Sequence, residues 1–367
     1  MRNAIKDLPP NSLAIHPDPY HRTVTPTDTG KRQVELPIYA ELKRLIKQQG
    51  LLKKQPVYYA FKIPLTLGLL AISLYILVTV DSLAFQLVNA AFLGFVFTQI
   101  GFIGHDAGHR QIFHSMRNNE IVGLIITFLL ASDRSWWIDK HNRHHNNPNH
   151  VDLDPDIDIP VIAFTPEQAR AKRGLYKFII KHQAYFYFPI LSLEGIGLRL
   201  AGLQYMAKMK VKYPVLETLL MASHFLVYFG MLFYLLQPWH AVLFIVVHQM
   251  FFGLYVGSVF APNHKGMPMI DDDSQLDFVR RQVLTSRNIK SHPLTDFWYG
   301  GLNYQNEHHL FPSMPRNNLK KSQSIVKAFC KSHAIDYHET SMFQSQKEIL
   351  RYLHEISDTL DEAKTTY

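Results

Sequence analysis

Two long stretches of this chain carry no basic residue. No Lys or Arg occurs from Ile63 to His109 or from Tyr213 to His264, and Glu217 is the sole acidic residue in the second stretch. Each stretch divides into two apolar runs, 56–80 and 83–103, then 215–236 and 240–261. A helix of roughly 20 apolar residues crosses about 30 Å of hydrocarbon, so each run has spanning length. The connectors, Asp81-Ser82 and Gln237-Pro238-Trp239, are too short for anything but antiparallel hairpins with both turns on one side. Neither turn is basic. Apart from Lys62, near the start of the first run, the Lys and Arg residues lie in the N-terminal segment, in 110–212 and in the C-terminal third. Cytoplasmic loops carry the positive charge of a membrane protein, which puts those three parts in the cytoplasm.

The expected fold is therefore an all-α integral membrane protein: four transmembrane helices as two hairpins beneath a cytoplasmic helical cap. The expected organisation is a cytoplasmic segment over 1–55, a membrane domain over 56–320 with its cap in 104–212 and 262–320, and a helical tail over 321–367. Residues 1–35, rich in Pro, Thr and Asp, read as loop, and no secretory leader is expected before Gln55. Residues 120–131 are apolar but too short to span and read as a re-entrant or interfacial helix. Residues 183–204 are interrupted by Pro189, Glu194, Gly195, Gly197 and Arg199, and read as an interfacial helix pair. In the tail, Ile349, Leu350, Leu353, Ile356 and Leu360 recur at helical spacing.

Composition narrows the chemistry. A chain with 47% hydrophobic and 19% charged residues is not disordered. The single cysteine, Cys330, excludes a disulfide framework, a Cys-based zinc ribbon and a Cys-ligated iron–sulfur cluster, against 20 histidines. The net charge of +8 comes with no nucleic-acid reading motif, so no nucleic-acid partner is expected.

Four histidine clusters fall on the expected cytoplasmic side: His105 with His109; His141, His144 and His145; Asn263-His264; and Gln305 with His308 and His309. Residues three and four apart share one helix face, so His105 and His109 can point at one centre, and His141, His144 and His145 can reach one or two adjacent metals, a geometry that Gln305, His308 and His309 repeat. A thiolate-free imidazole set is a transition-metal site rather than one for Ca or Mg. His224 and His248 lie inside predicted spans, where interhelical hydrogen bonds account for them. The remaining histidines, including His16, His21 and His114, read as surface or loop residues.

These clusters resemble the histidine boxes of the membrane fatty acid desaturases: HDAGHRQIF, WWIDKHNRHHNNPN followed by DPDI, FAPNHKGMP, and GGLNYQNEHHLFPSMPR. The resemblance covers roughly residues 55–320 and is similar in wording to the acyl-CoA or acyl-lipid desaturases of bacteria, implying a bacterial inner membrane with a cytoplasmic active site. It implies two Fe ions held by His105, His109, His141, His144, His145, His264, His308 and His309, with O2 as co-substrate. Gln305 stands where many relatives have histidine, as in front-end desaturases. Gln305, Asn263, Asp106 and Glu307 are further candidates for ligands or for groups that orient ligands, and the acidic run Asp152, Asp154, Asp156 and Asp158 has the same chance to orient imidazoles. Trp136, Trp137, Tyr255, Trp298 and Tyr304 are candidates for a substrate tunnel or its mouth. Arg110, Lys140, Arg143, Lys265, Arg287 and Arg316 are candidates to meet a phosphate or an acidic donor protein. The substrate implied is a long-chain acyl-CoA or acyl-lipid. No HPGG haem-domain motif occurs, so electrons are expected from a separate ferredoxin or cytochrome b5 with an NAD(P)H reductase. A lipid hydroxylase or ketolase on the same scaffold, and a membrane metal carrier, are the competing readings.

Overall fold

The structure, a computed structural model, describes residues 38–208 and 211–362. The loop expected over 1–35, with His16 and His21, lies outside the described residues. The described part is mostly helical. Helix α1 (Ile38–Gln48) precedes the first pair of apolar helices, α2 (Pro56–Thr79) and α3 (Leu83–Gly108). Then come α4 (Met116–Leu130), α5 (Arg134–Asn146), α6 (Pro166–Ala171), α7 (Gly174–Lys181), α8 (Gln183–Ser192) and α9 (Glu194–Lys208). The second apolar pair is α10 (Pro214–Leu235) and α11 (Pro238–His264). The C-terminal part holds α12 (Phe278–Leu284), β1 (Asn288–Ile289), α13 (Pro293–Trp298), α14 (Gln305–Leu310), α15 (Arg316–Ser332), β2 (Glu339–Thr340) and α16 (Met342–Glu362). The two strands pair in parallel, Asn288 opposite Glu339.

Helices α2, α3, α10 and α11 are long and apolar enough to cross a membrane. Proline at the first turn of α2, α10 and α11 starts each where its missing N–H costs nothing. Three side-chain bonds give the register of α2 on α3: Ser73 with Asn89 (2.8 Å), Lys62 with Gln99 (2.8 Å) and Tyr59 with Asp106 (3.0 Å). As one residue number falls the other rises, so the helices run antiparallel. Helices α3 and α11 pack so closely that a β-carbon on Gly94 would lie 2.9 Å from the Phe252 amide nitrogen. The outer sides stay apolar: Phe61, Leu65, Ile72 and Val78 on α2 and Leu219, Leu226 and Phe233 on α10 are exposed. Continuous exposed apolar faces of this kind are what a lipid-facing surface requires.

Two helix pairs bend sharply. Between α4 and α5 the chain turns by 111°, with Ala131 in the left-handed region (φ 49°) and Asp133 capping α5. The interrupted segment 183–204 breaks at Leu193 into α8 and α9, which meet at 72°. Inside the apolar pairs, His224 Nδ1 faces the Phe128 carbonyl of α4 at 2.8 Å and His248 Nδ1 faces the Tyr228 hydroxyl of α10 at 2.6 Å, both between helices. Helix α15 runs across 320/321, so no break separates the tail there. Helix α16 buries Ile349, Leu353, Ile356 and Leu360.

Candidate metal centre

Both apolar pairs deliver histidine at one end. Helix α3 continues beyond its apolar run and ends with His105 on its last turn and His109 as its C-cap. Helix α11 likewise continues through Pro262 to Asn263 and His264. The bend at 131–133 swings α5 across them with His141, His144 and His145, and the short helix α14 adds His308 and His309.

The eight rings come together in two groups. His105, His109, His141 and His308 have ligand atoms within 4.8 Å of one another, as do His144, His264 and His309. His145 sits between them, its ring 4.6 Å from His109, 4.8 Å from His308 and stacked at 4.2 Å on His309. In the second group the Nδ1 atoms all point outward. His144 Nδ1 lies 3.0 Å from both Asp154 carboxylate oxygens, His264 Nδ1 is 3.1 Å from the Thr285 carbonyl, and His309 Nδ1 is 2.8 Å from Gln282 Oε1. Carboxylates and carbonyls only accept, and the Gln282 amide nitrogen is used on the His145 carbonyl, so each Nδ1 carries the proton. The Nε2 atoms then face one another as acceptors, His144 to His264 at 3.3 Å and His264 to His309 at 3.1 Å, with the Gln305 amide donating to His264. Lone pairs so close repel unless a cation lies among them. In the first group both nitrogens of His105 and of His308 are buried without a hydrogen-bond partner among the described residues. Such atoms carry a desolvation cost that a bound metal removes. The residues present fit a pair of imidazole-bound metal ions.

Electrostatics agree. Burial, reinforced by neighbouring rings, holds His145, His308 and His309 well below the usual imidazole range, which keeps them neutral as ligands must be. Burial also opposes charge on His144, but Asp156 and Asp154 outweigh it and raise its pKa. The same negative field favours a cation at its Nε2. Asp154 is itself held, accepting from the Asn149 and Asp156 amides at 2.8 and 2.9 Å.

The other candidates divide. Gln305 belongs to the second group, its Nε2 donating to His264 Nε2 at 2.9 Å, and Asn263 donates to Gln305 Oε1 at 3.0 Å. Asp106 turns to Tyr59 and Arg316, leaving its other oxygen 3.6 Å from His105. Glu307 turns away from the rings to Asn288 (2.7 Å) and Tyr337 (2.8 Å), and burial pushes its carboxyl up to about 7. Trp137 stacks on His141 at 4.4 Å and walls the first group. Trp136 instead lies under Lys140, and Tyr304 bonds Ser291 and Asp296. Tyr255 donates to the Trp298 carbonyl at 2.8 Å within the apolar layer beneath the rings. Arg287 and Arg316 are buried and paired with Glu348 and Asp106, so neither meets an outside partner. Arg110 lines an open cleft of about 640 Å³ beside His109, together with Glu120, Arg134, Asp139 and Lys212. Gln282 and Thr285 had no signature in the sequence, since one is a lone amide and the other contributes its backbone.

Over residues 83–341 the chain matches the fatty acid desaturase family. It belongs to that family. It is 31% identical over 339 residues to an acyl-lipid (9-3)-desaturase of Physcomitrium patens, covering 89% of this chain and 64% of that protein. It is 31% identical over 347 residues to a Delta(6)-fatty-acid desaturase of Caenorhabditis elegans, covering 89% of this chain and 76% of that one. A Delta(8)-fatty-acid desaturase of Euglena gracilis is 28% identical over 335 residues, with 86% and 77% covered. The chain thus spans about two thirds to three quarters of the length of these relatives, and the expected bacterial origin finds no counterpart among them.

Proposed function

We propose that this desaturase-family chain inserts a cis double bond into a long-chain acyl group, using O2 and two Fe ions held by His105, His109, His141, His144, His145, His264, His308 and His309. The observation that carries the reading is the convergence of these imidazoles from four separate segments, with the Nδ1 atoms of the second group fixed outward. Bound and reduced by two electrons from the donor protein, such irons would activate O2, which takes two hydrogens from an unactivated methylene pair and leaves as two waters. The chain does the rest. Asp154, Thr285 and Gln282 set ring orientation, and such partners fix the tautomer and raise ligand basicity. Trp137 and Phe260 put apolar surface against the rings, so that a methylene rather than water borders the metals.

The substrate is proposed to be an acyl-lipid or acyl-CoA, its polar head resting at Arg110 in the open cleft beside His109. Gln305 and the Delta(6) and Delta(8) activities named for two relatives support a double bond placed toward the carboxyl end. The centre is proposed to face the cytoplasm, with electrons from a ferredoxin or cytochrome b5 and its NAD(P)H reductase.

Expression in a host of defined lipid profile, followed by gas chromatography with double-bond localisation, tests the reading. A new unsaturated acid that disappears in His308→Ala is expected. Hydroxylated acids in its place would favour the hydroxylase, and an unchanged profile with iron-loaded protein present would overturn both.

A further inference from the structure

The first turn of α5 is held by two buried carboxylates from different elements. Asp133 and Glu217 are both 0% exposed. The Trp136 amide donates to Asp133 Oδ1. The Ser135 amide donates to Glu217 Oε2 at 2.9 Å, and the Ser135 hydroxyl to Glu217 Oε1 at 2.6 Å. The Lys212 amide completes the knot by donating to Ser135 Oγ at 3.2 Å. Helix α9 closes over it: a β-carbon on Gly202 would lie 3.1 Å from Asp133 Cβ.

The basic groups close by are committed elsewhere, since both Arg134 (3.5 Å) and Lys212 pair with Glu120 of α4. Asp133 Oδ2 is buried without a hydrogen-bond partner among the described residues. One negative charge at a helix N-terminus is favourable, but two buried side by side repel. A proton on Asp133 Oδ2 removes that repulsion and leaves Oδ1 free to accept from the Trp136 amide.

We propose that Asp133 and Glu217 are positioning residues for the candidate metal centre, pinning the start of α5, which carries His141, His144 and His145, to the start of α10, with Asp133 in its protonated form. The metal part of this rests on the function proposed above. Burial pushes the Asp133 carboxyl up to about 7; the Trp136 amide acts against that and Glu217 adds to it. A carboxyl raised in the folded state contributes stability at low pH that is lost as pH rises through that value. The other titratable groups facing the pair are Arg134 on α5 and Tyr205 on α9, with Glu120 and Lys212 beyond Arg134.

The test uses the full chain in lipid nanodiscs, as wild type, Asp133→Asn, Glu217→Gln and Glu217→Leu. Iron retained against a chelator and the unfolding midpoint are measured at about pH 6 and about pH 8.5, either side of the raised Asp133 value. Wild type is expected to lose iron faster and unfold earlier at the higher pH. Asp133→Asn, whose amide is neutral at any pH, keeps the cap and flattens that dependence. Glu217→Leu is expected to weaken iron retention roughly 10-fold at both values, as loss of supporting contacts does, with Glu217→Gln restoring most of it. The same pH dependence in Asp133→Asn as in wild type, or full iron retention in Glu217→Leu, would overturn the proposal. If wild type binds no iron at all, the metal reading falls, and the unfolding midpoints alone decide whether the two carboxylates pin α5 with Asp133 protonated.

Discussion

At the scale of single residues, the second imidazole group depends on what stands behind each ring. Asp154 accepts from His144 Nδ1 and is itself anchored by two amides, so it fixes both tautomer and tilt. Asp154→Ala frees the ring to present Nε2–H inward. The expected result is a 10- to 100-fold fall in metal affinity, measured by iron titration of the purified protein, with membrane insertion intact. The rings were readable from spacing alone, because i, i+3 and i+4 histidines leave a pattern. Their supports were only partly so. Asp154 stands in a visible acidic run, whereas the Thr285 carbonyl belongs to a backbone atom that every residue type has. Glu307, adjacent to His308 in sequence, shows the converse: neighbours on a helix point to different faces, and its carboxylate goes to Asn288 and Tyr337.

At the scale of elements, hydropathy located the four long helices, since apolar length is a local property. The bends were not local. The 111° turn after α4 depends on Ala131 taking a left-handed conformation and on Arg199 reaching the Leu130 carbonyl from α9 at 3.1 Å. Close helix approaches also depend on partners far away in sequence. A β-carbon on Gly253 of α11 would lie 2.5 Å from the Ser192 carbonyl oxygen and 2.7 Å from that of Leu191, both on α8. Gly253→Ala therefore forces α8 and α11 apart and should cost about 1–3 kcal/mol, the usual penalty of overpacking. Gly230 on α10 has nothing within 4 Å of an added β-carbon. Gly230→Ala should leave the unfolding midpoint in nanodiscs unchanged or raise it, while Gly253→Ala lowers it.

For the whole molecule, the meeting of His144 with His264 and His309 bears on topology. Rings that touch lie on one side of a membrane, so the chain between His145 and His264 crosses an even number of times. If α10 and α11 each cross once, they supply both crossings, and the bent pair α8 and α9, with Tyr185, Phe188, Leu193 and Leu200 exposed, is expected to lie along the interface. Single cysteines at Asp81 and Pro238 should react with an impermeant maleimide added to sealed cells, and one at His114 should not; Cys330 is buried and stays silent. Labelling at 114 would reverse the orientation.

The two imidazole groups also impose an order on synthesis. Each needs a ring from α14, His308 in one and His309 in the other. Both hairpins are already made when a ribosome reaches that helix, yet neither group is complete. If the groups hold metal as proposed, a nascent chain would complete neither of them while its long apolar helices are still being made. Loading of the proposed centre would then wait until the scaffold around it is nearly finished.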